Sequence, residues 1–196
     1  MSPVELLGLF AGGIGVFYGL PQARQVRKAG HSHGVSVSAW LLLFAMTALW
    51  SGYGVRIGSP SVTASNVVAT AVNATVVIAL LGASVKTYSR MAAAVVGILA
   101  FVTFMPESVV SAVLVVFVFG QAPQIAASFR SWRRGTDSVV SMPAMAVAIT
   151  SLTSWEIYAI LTDTGVMKLT TGLALSIVLT ITTLELLARR SRAHAA

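Results

Sequence analysis

Apolar residues run through this chain in long stretches separated by short polar or basic ones. Seven stretches reach or approach the roughly 20 residues a helix needs to cross a bilayer: residues 4–24, 35–55, 61–84, 91–105, 108–129, 139–161 and 166–187. The fourth is the shortest. None has the strict alternation of an outer-membrane strand, so the pattern predicts helices throughout. Residues 4–24 hold no basic residue before Arg24 and are followed by more membrane, unlike a cleaved signal peptide. The expected fold is an all-α, multi-pass membrane protein with seven transmembrane helices.

Composition narrows the function classes. Of 196 residues, 56% are hydrophobic and 10% charged, against about 25% charged in soluble domains. Such a chain could not cover its surface with polar groups in water, which argues against a soluble enzyme. Cysteine is absent and histidine occurs three times, so thiol nucleophiles, thiolate metal sites and a histidine metal cluster are all excluded. No nucleophile–base pair stands out, and no metal or cofactor is expected. The net charge of +7 fits the anionic cytoplasmic leaflet of a lipid bilayer better than a nucleic acid, which would need an exposed basic face.

The basic residues also set an orientation. Arg24, Arg27 and Lys28 follow the first stretch, Lys86 and Arg90 the third, Arg130, Arg133 and Arg134 the fifth, and Arg189, Arg190 and Arg192 the seventh. Only Arg56 and Lys168 fall on the other side. The positive-inside rule then places the N-terminus outside and the C-terminus in the cytoplasm of a cell-membrane protein.

The chain repeats itself. Val16-Phe17-Tyr18-Gly19-Leu20-Pro21-Gln22 and Val118-Phe119-Gly120-Gln121-Ala122-Pro123-Gln124 share V-F-x-x-x-P-Q at an offset of 102. Trp50-Ser51-Gly52-Tyr53-Gly54 and Trp155-Glu156-Ile157-Tyr158-Ala159 share W-x-x-Y-small at an offset of 105. Each repeat holds three helices, and both begin in the same direction. Three crossings leave the chain on the wrong side to start a parallel copy, so the fourth stretch is expected to carry it back. The plan is two parallel three-helix repeats joined by a linker helix (3+1+3): residues 1–84, a linker at 85–106, residues 107–188, and a basic tail at 189–196. Parallel repeats imply a pseudo-twofold axis along the membrane normal with a substrate path between the halves.

On these motifs the chain resembles the SWEET and SemiSWEET sugar transporters of the PQ-loop family. The resemblance runs over about residues 5–187 and includes Ser32-His33-Gly34-Val35-Ser36 before the second helix and Met142-Pro143 in the second repeat. It implies a facilitator (uniporter) of small sugars, mono- or disaccharides, working by alternating access through a central site. A homo-oligomer is compatible with it. Two positions depart from the pattern. Sixteen residues after Trp50 stands Asn66, as the family has it, but the same step from Trp155 reaches Thr171; and Ser38 stands where the second repeat has Pro143.

The resemblance and the residue chemistry together nominate a site. Trp50 and Trp155 can stack on the C–H face of a sugar ring, and Asn66 and Thr171 can bond its hydroxyls. Pro21, Pro123 and Pro143 remove amide donors and weaken their helices, so with Gln22 and Gln124 they are candidate hinges. Tyr53, Arg56, Tyr158 and Asp163 close helices two and six and are candidates for an extracellular gate. Glu156 is an intramembrane carboxylate, a functional candidate by default, here for a proton or a cationic group. Gly8, Gly12, Gly15 and Gly19 form a stripe suited to close helix packing.

An alternative is a proton-coupled transporter of amino acids or another small polar solute, like the cystinosin branch of the PQ-loop proteins. The coupling aspartate of that branch would fall at Leu43 and Ala148, which leaves Glu156 as its replacement. A third class is a non-transporting receptor of the same architecture, against which stand the polar residues Asn66, Thr150, Thr153 and Thr171.

Overall fold

The computed structural model describes the backbone of residues 1–29, 37–134 and 142–193, with side chains at all of these except 17–29, 39, 121–123, 127 and 192–193. Within them the chain is helical from end to end. In order come α1 (Pro3–Ala29), α2 (Val37–Arg56), α3 (Pro60–Leu81), α4 (Val85–Phe104), α5 (Glu107–Val118), α6 (Ala122–Arg134), α7 (Met142–Leu161) and α8 (Gly165–Ala193). Four of them, α3, α4, α7 and α8, are long and apolar enough to cross a membrane, and residues 3–16 and α5 are shorter apolar helices. Large apolar side chains such as Val67, Val68, Val96, Val116, Leu169 and Leu179 are exposed on the outer faces, as a lipid-facing surface requires.

Two boundaries differ from the sequence expectation. The expected fifth span, 108–129, is two helices, because a 3-10 turn at Phe119–Gln121 separates α5 from α6. Proline has no amide hydrogen to continue the ladder, and Pro123 follows this turn directly. The Phe119 amide accordingly reaches only to Val116 and Phe117, and the ladder tightens before the helix resumes. The same Pro-Gln pair leaves α1 continuous. The fourth stretch, short by hydropathy at 91–105, is a full helix from Val85. Its start is fixed by Ser84, whose hydroxyl accepts from the Thr87 amide at 3.1 Å and so satisfies an otherwise orphaned donor.

The packing closes into a ring. α3 lies between α1 and α2, α8 between α5–α6 and α7, and the two triplets meet where α1 packs on α7 and α2 on α5. Exchanging α1 with α5–α6, α2 with α7 and α3 with α8 carries these contacts onto one another. α4 stands outside the ring, chiefly against α2.

The turns repeat too. After α2, Ser59 N–H donates to the Gly54 carbonyl at 2.9 Å and Gly58 N–H to Val55 at 3.1 Å; after α7, Thr164 N–H donates to Ala159 at 3.1 Å and Asp163 N–H to Ile160 at 3.2 Å. Both are Schellman endings with one left-handed residue. Gly58 (φ 65°) fills that position freely, whereas Asp163 (φ 51°) fills it in the second copy as one of the few L-residues that tolerate it. Beyond the first turn, Ser59 caps α3 by accepting from Val62 N–H, with Pro60 in the first helical position.

The predicted glycine stripe lets α1 approach its neighbours. A Cβ on Gly8 or Gly12 would collide with Ser61 or Ser65 of α3, and one on Gly12 would also come within 3.3 Å of Trp155. Around these contacts lie the buried clusters. Tyr53, Leu49, Val110 and Leu114 fill the α2–α5 seam. Val62, Tyr158, Ala159 and Met167 fill the space beside the α1–α7 seam.

Candidate functional site

A cavity of about 230 Å³ lies between the two triplets. Met46 and Trp50 of α2 line it, with Val62 and Asn66 of α3, Val118 of α5, Ser151, Leu152 and Trp155 of α7, and Met167, Thr170, Thr171 and Ala174 of α8. All are uncharged. The four residues nominated from the sequence for substrate, Trp50, Asn66, Trp155 and Thr171, thus face one space, one pair from each repeat.

Each tryptophan is set by the tyrosine one turn on. Trp50 and Tyr53 meet edge-to-face at 5.6 Å and 88°, and Trp155 and Tyr158 at 5.4 Å and 84°. Both tyrosines are fully buried, so each indole rests on a fixed ring. The Asn66 amide nitrogen donates to the Val62 carbonyl at 2.9 Å, which leaves its oxygen to accept from a solute. The Thr171 hydroxyl stands between the Met167 carbonyl, at 2.7 Å, and the Glu156 carboxylate. Glu156 itself is not among the lining residues; it turns from the cavity toward α8, where a Cβ on Gly172 would lie 3.7 Å from its carboxylate.

Beyond the tryptophans, at the end of the bundle where α1 begins, a network that the sequence reading missed draws the triplets together. Glu5 of α1 accepts from the Tyr158 hydroxyl of α7 at 2.8 Å and from the Ser61 amide of α3 at 2.8 Å. Ser59 meets the same hydroxyl at 2.7 Å. In the other copy, the Glu107 carboxylate of α5 lies near enough for its charge to act on the Tyr53 hydroxyl. Glu5 and Glu107 are 102 positions apart, the offset of the two Pro-Gln pairs. That equality was the available signal.

Of the four residues expected to form a gate, Tyr53 and Tyr158 belong to these pairs, but Arg56 and Asp163 do not meet. Arg56 donates to the Val102 and Met105 carbonyls, both at 2.8 Å, and so ties the end of α4 to α2. Asp163 pairs with Lys168 at 2.5 Å. The hydrogen bond and charge of Lys168 hold this exposed carboxyl below the usual carboxylate range.

Among the hinge candidates, Pro21 lies within the continuous backbone of α1, and the Pro21, Gln22 and Pro123 side chains fall outside the described ones. Pro123 follows the 3-10 turn. Gln124 is exposed, with its amide nitrogen 3.5 Å from the Ser128 hydroxyl. Pro143 is exposed at the second described residue of α7.

The whole arrangement superposes on a solved eukaryotic SWEET transporter with a TM-score of 0.68, over 96% of this chain and 100% of that one. The fold is SWEET-like. At 16% identity the likeness to that SWEET transporter carries the architecture and not the chemistry of the cavity. No family model matches the chain, and no curated protein matches it in sequence.

Proposed function

We propose that this chain is a membrane transporter that carries a small sugar downhill by alternating access around the Trp50–Trp155 cavity. One observation carries the reading. Two tryptophans at equivalent repeat positions, each backed by a buried tyrosine, flank one uncharged cavity that also presents Asn66 and Thr171. Aromatic faces suit the C–H side of a sugar ring, and the amide and hydroxyl suit its polar rim. A volume of about 230 Å³ lies below the roughly 300–1,000 Å³ of pockets for drug-sized ligands, which favours a monosaccharide.

In this reading the end bearing Glu5 faces outward and the arginine-rich end faces the cytoplasm, as the charge distribution suggests. The two PQ-loop repeats and the linker keep the boundaries expected from sequence. The Glu–Tyr pairs close the outer mouth, and Pro21, Pro123 and Pro143 let the inner helix ends bend. The Glu156–Thr171 contact supports a second reading, in which a proton on Glu156 drives uptake of another small polar solute. Uptake into proteoliposomes, with labelled sugars and amino acids and with and without a pH gradient, separates the two. Equilibration of a sugar that ignores the gradient supports the first; uphill accumulation driven by external acid and lost in Glu156→Gln replaces it with the second.

A further inference from the structure

α6 carries a basic and aromatic outer face. Ala126, Phe129, Arg130, Arg133 and Arg134 are all exposed. Their spacing of three and four residues puts them on one side of the helix, and Ser128, on the opposite side, is buried. Phe129 and Trp132 meet edge-to-face at 5.7 Å and 60°. The Arg133 guanidinium lies 6.0 Å from the centre of the Phe129 ring, within reach of a cation–π contact. Among the described residues, no carboxylate pairs with Arg130, Arg133 or Arg134.

Chain length sets the depth of this face. Glu107 begins α5, and Ser108 follows that charge. Phe129 stands 21 residues beyond Ser108, about 32 Å at 1.5 Å per residue, and a hydrocarbon core is about 30 Å thick. Taken as one crossing, α5 and α6 therefore bring Phe129 to the far boundary and Trp132 just past it, where aromatic side chains collect. The three arginines then stand in the headgroup layer, which adds about 5–8 Å on each side. Orientation in the membrane needs only their charge. The arrangement adds two things that orientation does not need: a planar fork held over a ring, which can bond a phosphate bidentately, and an apolar ring at the depth where acyl chains begin.

We propose that this face of α6 binds an anionic phospholipid of the adjoining leaflet. Its phosphate sits between Arg130 and Arg133, Arg134 meets the rest of the charged headgroup, and an acyl chain runs past Phe129. The 3-10 turn at Phe119–Gln121 parts α6 from α5, so the lipid holds this end of the second repeat. The site stands whatever the cavity carries. Each arginine beside an anionic headgroup contributes roughly fivefold in affinity, and the three together about a hundredfold.

The test is native mass spectrometry of the full chain in detergent, titrated with a phosphatidylglycerol and with a phosphatidylcholine of the same acyl chains. The wild type should bind the phosphatidylglycerol more tightly. Arg130→Gln, Arg133→Gln and Arg134→Gln together should weaken that binding by about a hundredfold and remove the preference, and Arg133→Gln alone should weaken it by roughly fivefold. Lys86→Gln with Arg90→Gln, the other exposed basic pair expected at this end, should change it little. Free glycerol phosphate should not displace the lipid, because it lacks the chain that passes Phe129. No preference in the wild type overturns the proposal. So does an equal loss in the Lys86 and Arg90 variant, which would mean diffuse charge and no site, and so does displacement by glycerol phosphate, which would mean a phosphate site without a lipid. If the triple variant is not recovered, unchanged affinity in both Arg130→Gln and Arg133→Gln overturns it instead.

Discussion

The Glu5–Tyr158 bond joins α1 to α7 at the end of the bundle where α1 begins, so its removal is the sharpest test of the proposed gate. Tyr158→Phe deletes the hydroxyl that meets both Glu5 and Ser59; Glu5→Gln keeps the shape and removes the charge. Interhelical hydrogen bonds measured by double-mutant cycles in membranes contribute about 0.6 kcal/mol on average and about 1.7 at most. The ionised acceptor and the 2.8 Å length place this one toward the upper value, since charge-assisted bonds are roughly twice as strong as neutral ones. A coupling of about 1–1.7 kcal/mol corresponds to a roughly five- to sixteen-fold shift of the proposed gate toward its open form, at about 1.4 kcal/mol per factor of ten. The assay is the outward-open population, read by spin-label distance across the outer mouth, for the wild type, both single variants and the double. Tyr158→Phe should open the gate by the sum of its two lost bonds, and adding Glu5→Gln to it should then change little. Fully additive effects would show that the residues do not act on each other, and unchanged populations in both single variants would refute the gate.

Alanine at Trp50, Trp155 or Asn66 should abolish most sugar flux in proteoliposomes while folded protein remains in the membrane; flux retained in all three rejects the cavity as the binding site. Gly12→Ala drives a methyl into Ser65 and should destabilise the fold by roughly 1–3 kcal/mol through overpacking, seen as a lower melting temperature that Ser65→Gly partly restores. Asp163 should titrate below the usual carboxylate range. Its depressed value means that the contribution of the pair with Lys168 is present above the ordinary range and is lost as pH falls through the folded value. Lys168→Met should return the titration, followed by NMR, toward an ordinary aspartate, and an unmoved curve would show that Lys168 is not the cause.

Much of the architecture was legible because a membrane helix must hide its backbone in its own hydrogen bonds, which leaves a hydropathy signal that needs no tertiary knowledge. The pairing of Trp50 with Trp155 was legible because both stand in the same W-x-x-Y motif, and the two residues line one cavity. What stayed hidden has physical reasons. The α5–α6 break depends on local competition between helix continuity and a turn at Pro123, and the sequence at Pro21 reads alike without breaking. Arg56 and Asp163 looked like a cross-mouth pair because both end helices, yet each had a nearer partner, the carbonyls at the end of α4 and Lys168 respectively. Glu5 and Glu107 sit in first helical turns, where an acid is ordinarily explained by the helix dipole, and that explanation concealed the bond of Glu5 to Tyr158 and the nearness of Glu107 to Tyr53.

The symmetry is fuller at the end of the bundle where α1 begins than in the interior. The Schellman turns, the Glu–Tyr pairs and the Trp–Tyr pairs occur in both copies. The interior positions have diverged: at the offset of 105, Glu156 answers to Ser51, Thr171 to Asn66 and Glu185 to Leu80. Both interior acids therefore belong to the second repeat, which also holds the 3-10 break. A gate needs matched halves, because an interface related by a twofold axis closes only if each side presents the same groups. Solute chemistry has no such requirement, since a sugar lacks that axis and meets each half differently. With the interior positions diverged, the two halves present different groups to the one cavity, while the matched groups at the end where α1 begins stay alike in both copies.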